Sequence, residues 1–116
     1  MVFGLVSLIA FGESSLVFAA EKPIRFWNLT SATVTELRLA PAGSQNFGPD
    51  QCKNDKDGSV DHDERLPITG VTRGRYDIKI GYKDGKTCRV QNVPIESGKA
   101  FSIEDKDLTD CSIPFR

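Results

Sequence analysis

The stretch RYDIKIGYKDGKTCRV, Arg75 to Val90, constrains the fold more than any other part of the chain. Tyr76, Ile78, Ile80 and Tyr82 alternate with Arg75, Asp77 and Lys79, so one face of an extended strand is apolar and the other is charged. A two-residue turn at Asp84-Gly85 would set Ile80 opposite Arg89 and Ile78 opposite Gln91, mixing the faces. A three-residue loop, Lys83-Asp84-Gly85 with Gly85 left-handed as a bulge, sets Ile80 opposite Cys88 and Ile78 opposite Val90 instead. A slip of one residue would turn the apolar set to water, so the second register is predicted. A half-apolar hairpin of this kind needs a second layer to cover it.

The rest of the chain supplies that layer. Helical periodicity is absent after Ala20, and short β-branched and aromatic runs recur between turn signals. Strands are predicted at Ile24–Leu29, Val34–Leu39, Leu66–Thr69, Arg75–Tyr82, Thr87–Val93 and Ala100–Ile103. The expected fold is all-β, a small antiparallel β-sandwich with one long acidic loop. That loop, PAGSQNFGPDQCKNDKDGSVDHDER, is the longest connection, and loops of such length in compact domains are usually functional or disordered. The turn IESGKA returns the chain and carries the tail DKDLTDC back toward Cys88.

The N-terminus, MVFGLVSLIAFGESSLVFAA, is too short and too interrupted to span a bilayer, but suits the hydrophobic part of a secretory signal. Small residues at Val17 and Ala19 favour cleavage after Ala19, giving a signal peptide over 1–19 and one β-sandwich domain over 20–116. No Lys or Arg precedes Lys22, so the usual basic start of a signal is missing. The expected location is the periplasm or the exterior, with no membrane anchor after processing. A formal net charge of -1 over 116 residues gives no excess that would draw the chain to nucleic acid. Three cysteines, Cys52, Cys88 and Cys111, permit one disulfide and leave one thiol. Their number does not fix the pairing; the returning tail favours Cys88 with Cys111, leaving Cys52 on the long loop. With His62 the single histidine and no close Cys spacing, a zinc site lacks ligands.

KNDKDGSVDHDE, Lys53 to Glu64, carries the chemistry that stands out. With Gly58 at the sixth place of a calcium loop, Asp55 and Asp57 fall at three and five, Asp61 at nine and Glu64 at twelve. Lys53 at the first place cannot ligate, so Asp50 or Asn54 would have to replace it, with Asp63 filling a further gap. Gly48-Pro49 and Leu66-Pro67 stand where helices would bracket such a loop. Two readings follow. The acids either keep a long loop soluble, or form a site for calcium or a lanthanide, since clustered carboxylates suit hard cations rather than copper or zinc. In the second case a pair of chains joined through their loops, Val60 to Val60, would complete the coordination shell as a metal-dependent homodimer.

Other motifs are weaker. His62 has no nucleophile placed with it and reads as a solvent-exposed histidine. Asn28-Leu29-Thr30 matches a glycosylation sequon. Phe26, Trp27, Phe47, Tyr76, Tyr82, Phe101 and Phe115 are expected in the core or on sheet faces, with Trp27 the one that could stack a ligand. No phosphate loop or nucleotide fingerprint occurs.

FWNLTSATVTELRLAPAGSQNFGPD, followed by RLPITGVTRGRYDIKIGYKDGKTCRVQNV, resembles small exported bacterial proteins of largely unknown function. They share an asparagine-threonine turn, a strand ending near Ser/Ala-Pro and a YDI/L…DG hairpin. The resemblance implies a compact sandwich and no particular chemistry. The acidic stretch from Asp50 to Arg65 departs from it as an insertion. The expected function is therefore a non-enzymatic binding protein, either a cation binder through Asp50, Asn54, Asp55, Asp57, Asp61, Asp63 and Glu64, or a metal-free module that contacts a periplasmic protein partner.

Overall fold

The computed structural model describes residues 22–114; the leader, its cleavage point and Phe115 lie outside them. Seven strands are formed: β1 (Ile24–Leu29), β2 (Val34–Pro41), β3 (Arg65–Ile68), β4 (Gly74–Tyr82), β5 (Thr87–Ile95), β6 (Ala100–Glu104) and β7 (Thr109–Ser112). They build two packed sheets, β3-β1-β6 and β2-β4-β5-β7. The expected all-β sandwich is therefore the fold. One pairing departs from the antiparallel expectation: β6 lies parallel to β1, with Phe26 beside Phe101 and Asn28 beside Ile103. The chain reaches β6 only after leaving the first sheet to form the β4–β5 hairpin, so it re-enters in the direction in which β1 runs.

Within that hairpin Ile80 pairs with Cys88 and Ile78 with Val90. Gly85, at φ +93°, closes the three-residue loop and donates its N–H to the Tyr82 carbonyl at 2.9 Å. Further down, the register shifts between Tyr76 and Ile78, and Asn92 adopts φ +59°. Asp77 holds this bulge together. Its carboxylate accepts the N–H of Asn92 and the N–H of Gly43, each at 2.9 Å. Those two hydrogen bonds hold the Asp77 carboxyl below its ordinary range.

The core lies between the sheets. Ile24 and Phe26 of β1, Leu66 and Ile68 of β3, and Phe101 and Ile103 of β6 face Val34, Leu37, Leu39, Ile78, Ile80, Tyr82, Cys88, Val90 and Ile95. Phe26 and Phe101 meet with ring centroids 5.6 Å apart. Val34 lies on the inward side with Leu37 and Leu39 although the parity differs, because the register of β2 shifts between Val34 and Glu36. β7, which the sequence patterning does not reveal, is exposed along its whole length. It is held by pairing with β5 and by the Cys88–Cys111 disulfide.

Candidate functional site

The long connection is not a loose loop; it seals one side of the sandwich, where β2 and β3 would otherwise present open edges. Gly48 donates its N–H to the Leu39 carbonyl at 2.9 Å, and Asp50 Oδ1 accepts the Leu37 and Cys52 N–H groups at 3.0 Å each. Asp50 thereby caps a short 3₁₀ turn, Gln51–Asn54, whose side chains reach the other sheet. Gln51 Nε2 donates to the Thr69 carbonyl, and Asn54 Nδ2 donates to Gln51 Oε1 and the Pro67 carbonyl. Val60 then joins β2 as a bridge partner of Val34, N–H to C=O in both directions at 3.0 and 2.9 Å. Finally, Glu64 and Asp63 extend the β3 pairing to Asn28 of β1.

This geometry settles where each candidate ligand goes. Asp55 Oδ2 accepts the Asp57 N–H, Glu64 Oε1 accepts the Asp61 N–H, and Asp61 Oδ1 accepts the Thr33 hydroxyl, each at 2.9 Å. Asp63, at φ +70°, turns its carboxylate to the Trp27 indole N–H at 2.9 Å. Asp50 and Asn54 are engaged with main chain as described. Gly58 does take the left-handed conformation that a sharp turn requires, at φ +73°. Among the described residues, however, no three His, Cys, Asp or Glu side chains are grouped so as to hold a metal ion. Val60 is buried and paired within its own chain, so it offers no seam to a second loop.

Two further expectations are refined. Cys52 is free and lies on the long connection as expected, but it is buried within the 3₁₀ turn Gln51–Asn54 rather than presented to solvent. Burial, with Asp50 beside it, pushes its thiol up to about 12, so it is protonated and unreactive at neutral pH. Asn28 of the sequon is fully buried: Nδ2 donates to the Ala32 and Val60 carbonyls, and Oδ1 accepts from the N–H and hydroxyl of Thr30. Its amide is inaccessible to a glycosylating enzyme in the folded protein. His62 is exposed, with Nδ1 2.9 Å from the Thr30 carbonyl.

The same loop prepares a surface on the outer face of the three-stranded sheet. Because Ile24, Phe26 and Asn28 point inward, Arg25, Trp27 and Leu29 point outward. Trp27 is half-buried, its indole N–H held by Asp63, and the Arg65 guanidinium of β3 stacks 4.0 Å from the ring centroid. Arg65 was not singled out by sequence, although its place opposite Trp27 follows once β1 and β3 are paired. Elsewhere, a hollow lined by Thr72, Arg73, Glu96 and Ser97 and another by Lys79, Thr87, Cys88, Arg89, Asp110 and Ser112 each contain a single carboxylate and no histidine.

Comparison with known protein families, curated proteins and solved structures gives no match.

Proposed function

We propose that the chain is an exported, non-enzymatic interaction module whose contact surface is the Trp27–Arg65 face. The observation that carries this reading is the fixing of a half-exposed tryptophan by Asp63 at 2.9 Å and by Arg65 at 4.0 Å. Trp and Arg are the residues most enriched at energetic centres of interfaces, and a ring already locked in place loses little freedom on binding. The acidic loop then acts as support, since its carboxylates hold main chain and orient the indole. A disulfide and a buried, protonated thiol suit an oxidising compartment, in line with the apolar leader. The resemblance to small exported bacterial proteins agrees with the same location.

A hard-cation site through Asp55, Asp57, Asp61 and Glu64 is the second reading, favoured by the left-handed turn at Gly58. One pair of experiments separates them. Affinity capture from an extract of exported proteins, run in chelator, should recover a partner with the wild-type domain and lose it with Trp27→Ala or Arg65→Ala, both checked for folding by melting. Recovery unaffected by either change rejects the interaction surface. Calorimetric titration with calcium and with a lanthanide should give no heat; binding heat abolished by Asp57→Asn with Glu64→Gln would establish the cation reading instead.

A further inference from the structure

The two sheets have four outer edges, and three are protected. The edge of β2 is covered by the Gly48–Val60 segment through Asp50 and the Val34–Val60 bridge. The edge of β3 contains Pro67, whose carbonyl is taken by Asn54, as the Thr69 carbonyl is by Gln51. β7 is a four-residue strand with Asp110 at φ +49°, which turns the edge away from a regular ladder. β6 is protected least: among the described residues a side chain takes its Glu104 N–H alone. Among the described residues it pairs through all five of its positions with β1 and with no other strand, and it contains no proline, no basic residue and no bulge.

The direction of its free groups follows from the ladder. Arg25 pairs with Ala100 and donates its N–H to the Lys99 carbonyl at 3.3 Å, so the odd-numbered residues Phe101 and Ile103 address β1. The even-numbered Ala100, Ser102 and Glu104 therefore turn their N–H and C=O groups outward. Glu104 N–H is taken by Asp107 Oδ2 at 2.8 Å, whereas Ala100 and Ser102 are exposed.

We propose that β6 is the homodimer edge of this protein: it pairs antiparallel with β6 of a second copy about a two-fold axis at Ser102, joining two three-stranded sheets into one of six strands. A two-fold axis there lets the Ser102 N–H and C=O groups bond reciprocally to the partner's Ser102, and lets Ala100 N–H reach the carbonyl of the partner's Glu104. It sets Lys99 opposite the partner's Asp105 twice, so charges complement where the strands end. Lys99 and Asp105 are exposed just beyond the two ends of the strand, where Lys99 Nζ lies 3.2 Å from Glu96 Oε1 and Asp105, opening the 3₁₀ turn Asp105–Asp107, accepts the Ser31 N–H at 2.9 Å, so the dimer contact is made by charges that are shared with these neighbours. The contact needs no metal and leaves the Trp27 face of each copy open, so it stands independently of the function proposed above.

The test is the mass of the mature domain by light scattering over a concentration series, with chelator throughout. Wild type should move from monomer to dimer as concentration rises. Ser102→Pro removes an outward N–H without touching the β1 ladder and should weaken the dimer about tenfold or more, with melting confirming the fold. Lys99→Glu alone and Asp105→Lys alone should each remain monomeric, and an equimolar mixture of the two should form a mixed dimer, because each contact then regains opposite charges. A monomer at all concentrations, a dimer unaffected by Ser102→Pro, or a mixture that fails to associate overturns the proposal, as does association that requires calcium.

Discussion

The Asn28 side-chain nitrogen lies 2.9 Å from the carbonyl of Val60, 32 residues further along the chain. It donates equally to the Ala32 carbonyl, so one buried amide fastens the β1–β2 turn and the long loop to a single point. The loop is in this sense part of the fold: remove the amide and two main-chain carbonyls lose their shared donor.

Replacing that amide is expected to be costly in proportion. Asn28→Ala should lower unfolding free energy by about 2–4 kcal/mol, since it deletes the hydrogen bonds of a buried amide and leaves the buried Thr30 N–H without its acceptor. Asn28→Asp keeps the shape but puts an oxygen where the donor must be, and should be no better. Urea unfolding of the three proteins checks this; a loss under about 0.5 kcal/mol would show that the loop is fastened by other means.

The glycines differ in a way that backbone angles alone do not reveal. Gly43 and Gly85 both adopt positive φ, +81° and +93°, so a side chain at either is penalised by roughly 1–2 kcal/mol. A Cβ on Gly43 would meet open space, whereas one on Gly85 would stand 2.5 Å from Pro114 Cγ. Gly85→Ala should therefore destabilise more than Gly43→Ala. Melting the pair side by side decides it, and equal midpoints would mean that Pro114 yields without cost.

Much of the scaffold was legible because alternation and turn chemistry are local. The register of Ile78 against Val90 followed from keeping Tyr76, Ile78, Ile80 and Tyr82 on one face, and Ile24–Leu29 reads directly as a strand. What local patterning could not carry was long-range. The parallel pairing of β6 with β1 depends on where the chain travels in between, and Thr109–Ser112 has no apolar alternation to mark it as a strand. The roles of the acidic loop were hidden for a related reason. Spacing shows which carboxylates could meet around a cation, but not that Asp50, Asp55, Asp61, Asp63 and Glu64 have N–H or O–H donors waiting nearby. Val60 falls two places after Gly58, at the eighth place of a calcium-loop register, and spacing does not reveal that it is buried and bridged to Val34.

Cys52 contributes a pH dependence of its own. Its thiol titrates near 9.0 when unfolded and at about 12 when buried, so between these values the unfolded chain releases a proton that the folded protein keeps. The contribution of this thiol to stability is thus constant below pH 9 and falls as pH rises beyond it, by up to about 1.4 kcal/mol per unit. Cys52→Ala should flatten this alkaline decline. In native protein at pH 8 an alkylating reagent should label no cysteine, and in denaturant one; labelling of the native protein would contradict the burial of Cys52, and three labelled thiols without reductant would contradict the disulfide.

The loop acids should rank by what they hold. Asp50 accepts from Leu37 and Cys52 at 3.0 Å each, tying the 3₁₀ turn to the edge of β2 while the same turn braces β3. Asp57 contributes its main-chain N–H to Asp55, and its side chain is exposed. If the acids are structural, Asp50→Ala should cost about 2–3 kcal/mol, because hydrogen bonds to a charged acceptor are stronger than neutral ones and the Leu37 N–H would be left without its partner. Asp57→Ala should then fall within about 0.5 kcal/mol of wild type, as surface changes usually do. A cation site predicts another pattern: in chelator, removing a carboxylate from a repelling cluster would stabilise the fold, and in saturating calcium the same change would destabilise it. Melting Asp50→Ala, Asp57→Ala and Glu64→Gln in both buffers separates the two accounts. A ranking unchanged by calcium, with Asp50 first, is expected; a sign reversal at Asp57 or Glu64 would return the loop to metal chemistry.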